Sequence, residues 1–173
     1  GFSSAKDFRD LGTKTWDSNA NKTQAWLDNP HRKGEDDLGR VYGVVARDYG
    51  GINLIDKVIN NLASNIDDRG EIITFWKPDE FDKGCLRPCM HSHQFVLIGD
   101  ILHLTSTQRS CDVPLGLPYN MIQCWWLLKF MCEVTGHKQG EITHVINHPH
   151  IYEDQLKGVI TQIQRGDSDE FSS

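Results

Sequence analysis

Along residues 51–65, GINLIDKVINNLASN, apolar side chains recur at Ile52, Ile55, Val58, Ile59 and Leu62. That is helical spacing with one apolar face, and it predicts an amphipathic helix. EIITFW (71–76) is short and β-branched, and HQFVLI and ILHLTSTQ flank Gly99-Asp100, a two-residue loop of the kind that closes tight hairpins. These three runs are predicted strands. YNMIQCWWLLKFMCEVTG (119–136) is apolar around almost its whole circumference and stops at Gly136, so a buried central helix with a glycine C-cap is expected. EITHVIN (141–147) reads as a further strand, and EDQLKGVITQIQRG as an amphipathic helix ending at Gly166. Residues 19–37 lack periodicity, are rich in polar residues and contain Pro30 and Gly34, which predicts a long loop of functional or mobile type. Strands and helices without regular βαβ alternation indicate an α+β domain, and no internal repeat is visible.

Composition narrows the class. The 173 residues fit one domain, 1–173, and 38% hydrophobic with 24% charged residues is the composition of a soluble globular protein. No apolar run approaches the ~20 residues of a membrane span, and no signal peptide is seen. The net charge of −6 argues against a surface for polymeric nucleic acid while leaving room for a small pocket that takes one phosphate. Five scattered cysteines, at 85, 89, 111, 124 and 132, favour reduced thiols and a cytoplasmic setting. The chain opens at Gly1 without a methionine and closes on the polar run RGDSDEFSS, as an internal piece of a longer protein would.

Candidate chemistry gathers in two stretches. In RPCMHSHQF (87–95), Cys89 reads as a nucleophile, a metal ligand or a small core residue. Cys85, Cys89, His91 and His93 supply enough ligands for zinc, but structural zinc sites usually recruit a second pair from a distant knuckle. In QRSCDVPLGLPYN (108–120), Arg109 and Ser110 suit a phosphate, because guanidinium donates paired hydrogen bonds and the hydroxyl adds another. Asn120 carries both an acceptor and a donor, as the edge of a uracil ring requires.

Taken together with TWD (15–17), DLGRVYG (37–43), RDYGG (47–51), DDR (67–69) and HPHIY (148–152), these stretches resemble the thymidylate synthase family in order and near-family spacing. The resemblance implies a mixed sheet packed by helices around one central helix, and a methyltransferase acting on dUMP with 5,10-methylenetetrahydrofolate as co-substrate and no metal. It implies that Cys89 adds to pyrimidine C6, helped by the cation of Arg109, because a thiolate must exist near neutral pH. By the same resemblance Arg109 and Ser110 hold phosphate, and Arg69 reaches the phosphate of a neighbouring subunit's site in a homodimer. Asn120 reads O4 and N3, His150 and Tyr152 contact the sugar, and Gln108 positions ligand near the nucleophile. Tyr42 joins the network that removes the C5 proton. Asp112 and Trp16 approach the pterin, and Gly116 lies on the folate side.

The pattern also departs from the family. Met90 stands where synthases usually carry histidine, and Gly70 replaces the second of two adjacent arginines. The family's upstream glutamate, a further phosphate arginine and the C-terminal strands that cover the folate are not in the sequence. Three functions follow: dUMP methylation to dTMP, hydroxymethylation of dUMP or dCMP on the same fold, or a nucleotide-binding relic without turnover.

Overall fold

The computed structural model describes residues 2–66 and 68–165. Asp67 of the DDR motif and the polar run from Gly166, with the predicted helix stop, lie outside the described residues. In chain order come α1 (Ala5–Asp10), α2 (Asp17–Asn21), α3 (Gln24–Leu27), α4 (Gly43–Arg47), α5 (Leu54–Ala63), β1 (Ile72–Thr74) and a 3-10 turn (Pro78–Lys83). They are followed by β2 (Met90–Ile98), β3 (Ile101–Gln108), β4 (Cys111–Asp112), α6 (Gly116–Thr135), β5 (Lys138–Ile146), β6 (Pro149–His150) and α7 (Leu156–Arg165). α5 lies within the predicted stretch 51–65 and starts at Leu54, later than Gly51, because the Asn53 side chain caps it by accepting from the amides of Ile55 and Asp56. α6 stops at Gly136, whose φ of +78° is left-handed and suits glycine.

The main sheet has the order β1-β2-β3-β5. β2 pairs antiparallel with β1 and β3, whereas β3 pairs parallel with β5, and α6 lies within that crossover. One row of paired positions runs across all four strands: Ile73, His93, Ser106 and His144. The β2–β3 register shifts between Met90 and Ser92, so His91 is the extra residue of a bulge. Burial at Met90, His93 and Phe95 follows that shift. Cys89, His91 and His93 therefore do not alternate evenly along one strand face.

The core lies on the sheet face that carries Ile73, Phe95, Leu102 and Leu104, against Val58 and Leu62 of α5 and Cys124, Leu128 and Met131 of α6. A second cluster gathers Ala5, Ala20, Trp26, Leu38, Val41 and Cys85, and Tyr42 packs against both. Two sequence expectations are corrected. Residues 19–37 carry the end of α2, all of α3 and a buried Trp26 whose indole donates to the Asp37 carbonyl at 2.7 Å, so an irregular sequence was organised by one large apolar anchor. α6 is buried along one side only, since Met121, Ile122, Trp125, Trp126 and Phe130 are exposed. Among the described residues no helix is long and apolar enough to cross a membrane.

Candidate active site

The DLGRVYG and RPC stretches, far apart in sequence, meet through two glycines. Gly39 and Gly84 form an isolated antiparallel bridge, and a Cβ at Gly39 would run into the Lys83 carbonyl oxygen and the Trp26 indole. Only glycine permits this approach, and its φ of +65° is left-handed as well. The bridge delivers Tyr42 to Cys89: the Cys89 amide donates to the Tyr42 hydroxyl at 3.0 Å. From the other side, the Cys89 carbonyl accepts from the Arg109 amide at 2.8 Å. The cysteine backbone is thus held at both ends, and its half-buried thiol stands at the entrance to β2. Tyr42 itself has φ of +41°, a conformation costly for a non-glycine residue and of the sort that clusters at functional sites. Burial first, and then the neighbouring Cys89, push its hydroxyl up to about 12, so it remains a neutral phenol at physiological pH. Trp16 packs edge-on against Tyr42 with ring centroids 6.0 Å apart.

The Arg109 side chain turns back along the RPC segment. Its Nε donates to the Pro88 carbonyl at 2.9 Å, an Nη donates to the Arg87 carbonyl at 3.3 Å, and the guanidinium lies 5.7 Å from the centre of the Trp76 ring. His91 sits beside the same indole at 5.8 Å, and burial together with the Arg109 charge lowers its pKa.

Immediately after Arg109 the chain crosses to the start of α6. Gln108, at 2% exposure, donates from its amide nitrogen to the Ser110 carbonyl at 2.9 Å and to Asn120 Oδ1 at 3.0 Å. Its oxygen lies 2.8 Å from His144 Nε2. Asp112 accepts from the Leu115 amide at 3.1 Å and from Gln155 at 2.8 Å, and both carboxylate oxygens keep a lone pair for a further donor. The short β4–β6 pair sets Asp112 opposite His150, whose ring meets Tyr152 at 4.9 Å. Gly116 opens α6 where an added Cβ would lie 3.5 Å from Asn120 Oδ1 and 3.7 Å from the Asp112 Cβ.

Two groups therefore form: Trp16, Tyr42, Cys89 and Arg109 at the head of β2, and Gln108, Ser110, Asp112, Gly116, Asn120, His150 and Tyr152 around the start of α6. They are joined through the consecutive residues 108–110. Arg69 stands apart near the entrance to β1, at φ of +68°, and its carbonyl accepts from Gln94 at 3.2 Å. The zinc cluster does not assemble. Cys85 is buried in the second core, His93 Nδ1 lies 2.8 Å from Ser106 Oγ, and among the described residues no group of three or more His, Cys, Asp or Glu is placed to hold a metal ion. His144, Gln155 and Trp76 were not selected from sequence. For His144 the signal was present, since EITHVIN puts it on the same strand face as Ile142 and Ile146.

A thymidylate synthase family model matches residues 1–172. The chain belongs to the thymidylate synthase family. It is 60% identical over 162 residues to the thymidylate synthases of Idiomarina loihiensis and Pseudoalteromonas translucida, and 59% identical over 162 residues to that of Haemophilus influenzae. Each comparison takes in 91% of this chain and 57% of the relative, so the chain spans little more than half the length of these curated thymidylate synthases.

Proposed function

We propose that the protein to which this chain belongs methylates dUMP to dTMP, with 5,10-methylenetetrahydrofolate as co-substrate. The observation that carries this reading is the two-sided backbone clamp on Cys89, by Tyr42 and Arg109, with the consecutive residues 108–110 linking it to the Gln108–Asn120 hydrogen bond. A clamped nucleophile keeps its thiol in one attack position, which lowers the entropic part of the barrier.

In this scheme Cys89 Sγ forms a bond to C6, and the C5–C6 π pair moves toward O4, where the Asn120 amide N–H stabilises the developing charge. C5 then bonds to the one-carbon unit, and its proton leaves through the network that contains the neutral Tyr42 hydroxyl. That loss lets the bond from the transferred carbon to the folate nitrogen break, leaving an exocyclic methylene that hydride reduces to methyl. Finally the Cys89–C6 bond breaks and the thiolate is regenerated. The folate supplies the one-carbon unit and, as hydride, the reducing electrons. Trp16 offers it an aromatic wall and Asp112 an acceptor pair for ring N–H groups, a donor-matched fit to a pterin.

Arg109 and Ser110 hold the nucleotide phosphate, while His150 and Tyr152 meet the sugar hydroxyl. Arg69, set apart from these groups, serves the phosphate of a second subunit in a homodimer. A nucleotide enzyme of this kind works in the cytoplasm.

The test is mass spectrometry of the products after the full-length protein meets dUMP or dCMP with methylenetetrahydrofolate. dTMP with dihydrofolate supports the reading. A hydroxymethylated nucleotide with tetrahydrofolate would make the protein a hydroxymethylase, with Met90 the first departure to examine. Nucleotide binding without turnover would leave only the relic.

A further inference from the structure

We propose that His144 is a positioning residue for base selection, acting through Gln108 on Asn120; this rests on the reading that Asn120 meets the pyrimidine edge. Gln108 is almost wholly buried, and the two ends of its amide face different partners. The nitrogen end faces two acceptors, the Ser110 carbonyl and Asn120 Oδ1, at 2.9 and 3.0 Å. The oxygen end faces His144 Nε2 at 2.8 Å. An amide oxygen only accepts, so His144 must carry its proton on Nε2 and donate. The chain of bonds then has one direction: His144 N–H to Gln108 oxygen, and Gln108 N–H to Asn120 oxygen.

That direction decides what Asn120 can recognise. With Oδ1 turned toward Gln108, Nδ2 is left to donate to a carbonyl on the ligand, and a ring N–H would take the lone pair of Oδ1 that the Cys111 thiol approaches at 4.0 Å. Uracil offers that pair, O4 and N3–H. Cytosine offers the reverse, an amino donor and a bare ring nitrogen, and it fits the flipped amide. His144 is held opposite Ser106 in the four-strand row, so its donor is fixed by the sheet and not by a loop. Its loss would leave the buried Gln108 oxygen unpaired, a defect relieved when the amide swings away and frees Asn120 to flip.

The experiment is calorimetric titration of the full-length enzyme with dUMP and with dCMP, using wild type, His144→Phe and His144→Gln. Phe keeps a ring and removes the donor; Gln returns an N–H close to the position of Nε2. The ratio of dUMP to dCMP affinity is expected to fall about tenfold or more in His144→Phe, by weaker dUMP and stronger dCMP binding, and to recover in His144→Gln. Gln108→Glu supplies an independent reading should the Phe variant fail to fold. Its carboxylate accepts at both ends, turns the Asn120 amide over, and lowers the same ratio.

Equal weakening of both nucleotides in His144→Phe, an unchanged ratio, or no recovery in His144→Gln would overturn the proposal. Wild type that binds neither nucleotide would remove the Asn120 reading itself, which is a different failure from a wild type that prefers dUMP while its variants keep that preference.

Discussion

The β2–β3 ladder has two ends built from the same pairing and put to different use. At the hairpin end the chain reverses through Gly99, at φ of +64°, between exposed Ile98 and Ile101. Its closing ion pair, Lys138 with Asp100 at 2.8 Å, lies in solvent. At the other end Met90 pairs with Gln108, and the polar groups around them are partly or fully withdrawn from water and bonded to named partners: Tyr42, Arg109, Asn120 and His144. Hydrogen bonds in the first setting compete with water, whereas those in the second hold a fixed direction because leaving them unmade is costly. Regular pairing alone therefore does not make a site; the withdrawal of polar groups at one end does.

Changes at the buried end should separate the two most sharply. Cys89→Ser is expected to reduce turnover of the full-length enzyme by at least about 10³-fold while dUMP still binds, measured by product formation and calorimetry; surviving turnover would remove Cys89 as nucleophile. Arg109→Ala should weaken dUMP binding about 10- to 100-fold, since a charge-assisted contact is typically worth about 1.5–3 kcal/mol. Unchanged affinity would assign Arg109 to holding the RPC segment alone.

A smaller effect is expected from pH. Burial, aided by the nearby His144, lowers the His93 pKa from 6.5 to about 4. Between those values the unfolded chain holds the extra proton, so stability is full above pH 6.5 and falls as pH drops toward 4. Thermal melts across that window should show a shallower slope in His93→Gln than in wild type, and equal slopes would assign the acid sensitivity elsewhere. The smallest effect belongs to the hairpin end. Asp100→Ala should leave both dUMP affinity and melting temperature within experimental error of wild type, because both partners of its ion pair are exposed.

Sequence periodicity located α5, the β2–β3 hairpin and the Gly136 stop, because each is set by local rules: an apolar face, a tight turn and a left-handed cap. It missed α3 and the buried state of Trp26, which depend on the distant Asp37 carbonyl, and it overstated the burial of α6, whose Trp125 and Trp126 meet solvent. The family resemblance, and not periodicity, named most of the candidate residues, including Tyr42 and Cys89, which are 47 positions apart. The supporting residues were harder to read. His144 and Gln155 reach the site from β5 and from the turn before α7; strand alternation put His144 on the face of Ile142 and Ile146, but its pairing with Gln108 and that of Gln155 with Asp112 depend on tertiary contacts.

The extra residue at His91 acts as a mechanical joint. Because the ladder absorbs one unpaired position between Met90 and Ser92, the head of the strand is geared separately from the hairpin that anchors it. Substitutions at His91 can retune the surroundings of the thiol without shifting the packed row at His93 and beyond, whereas Met90 is buried in the same core as Phe95. A site next to such a joint can be re-aimed while the sheet beneath it keeps its register.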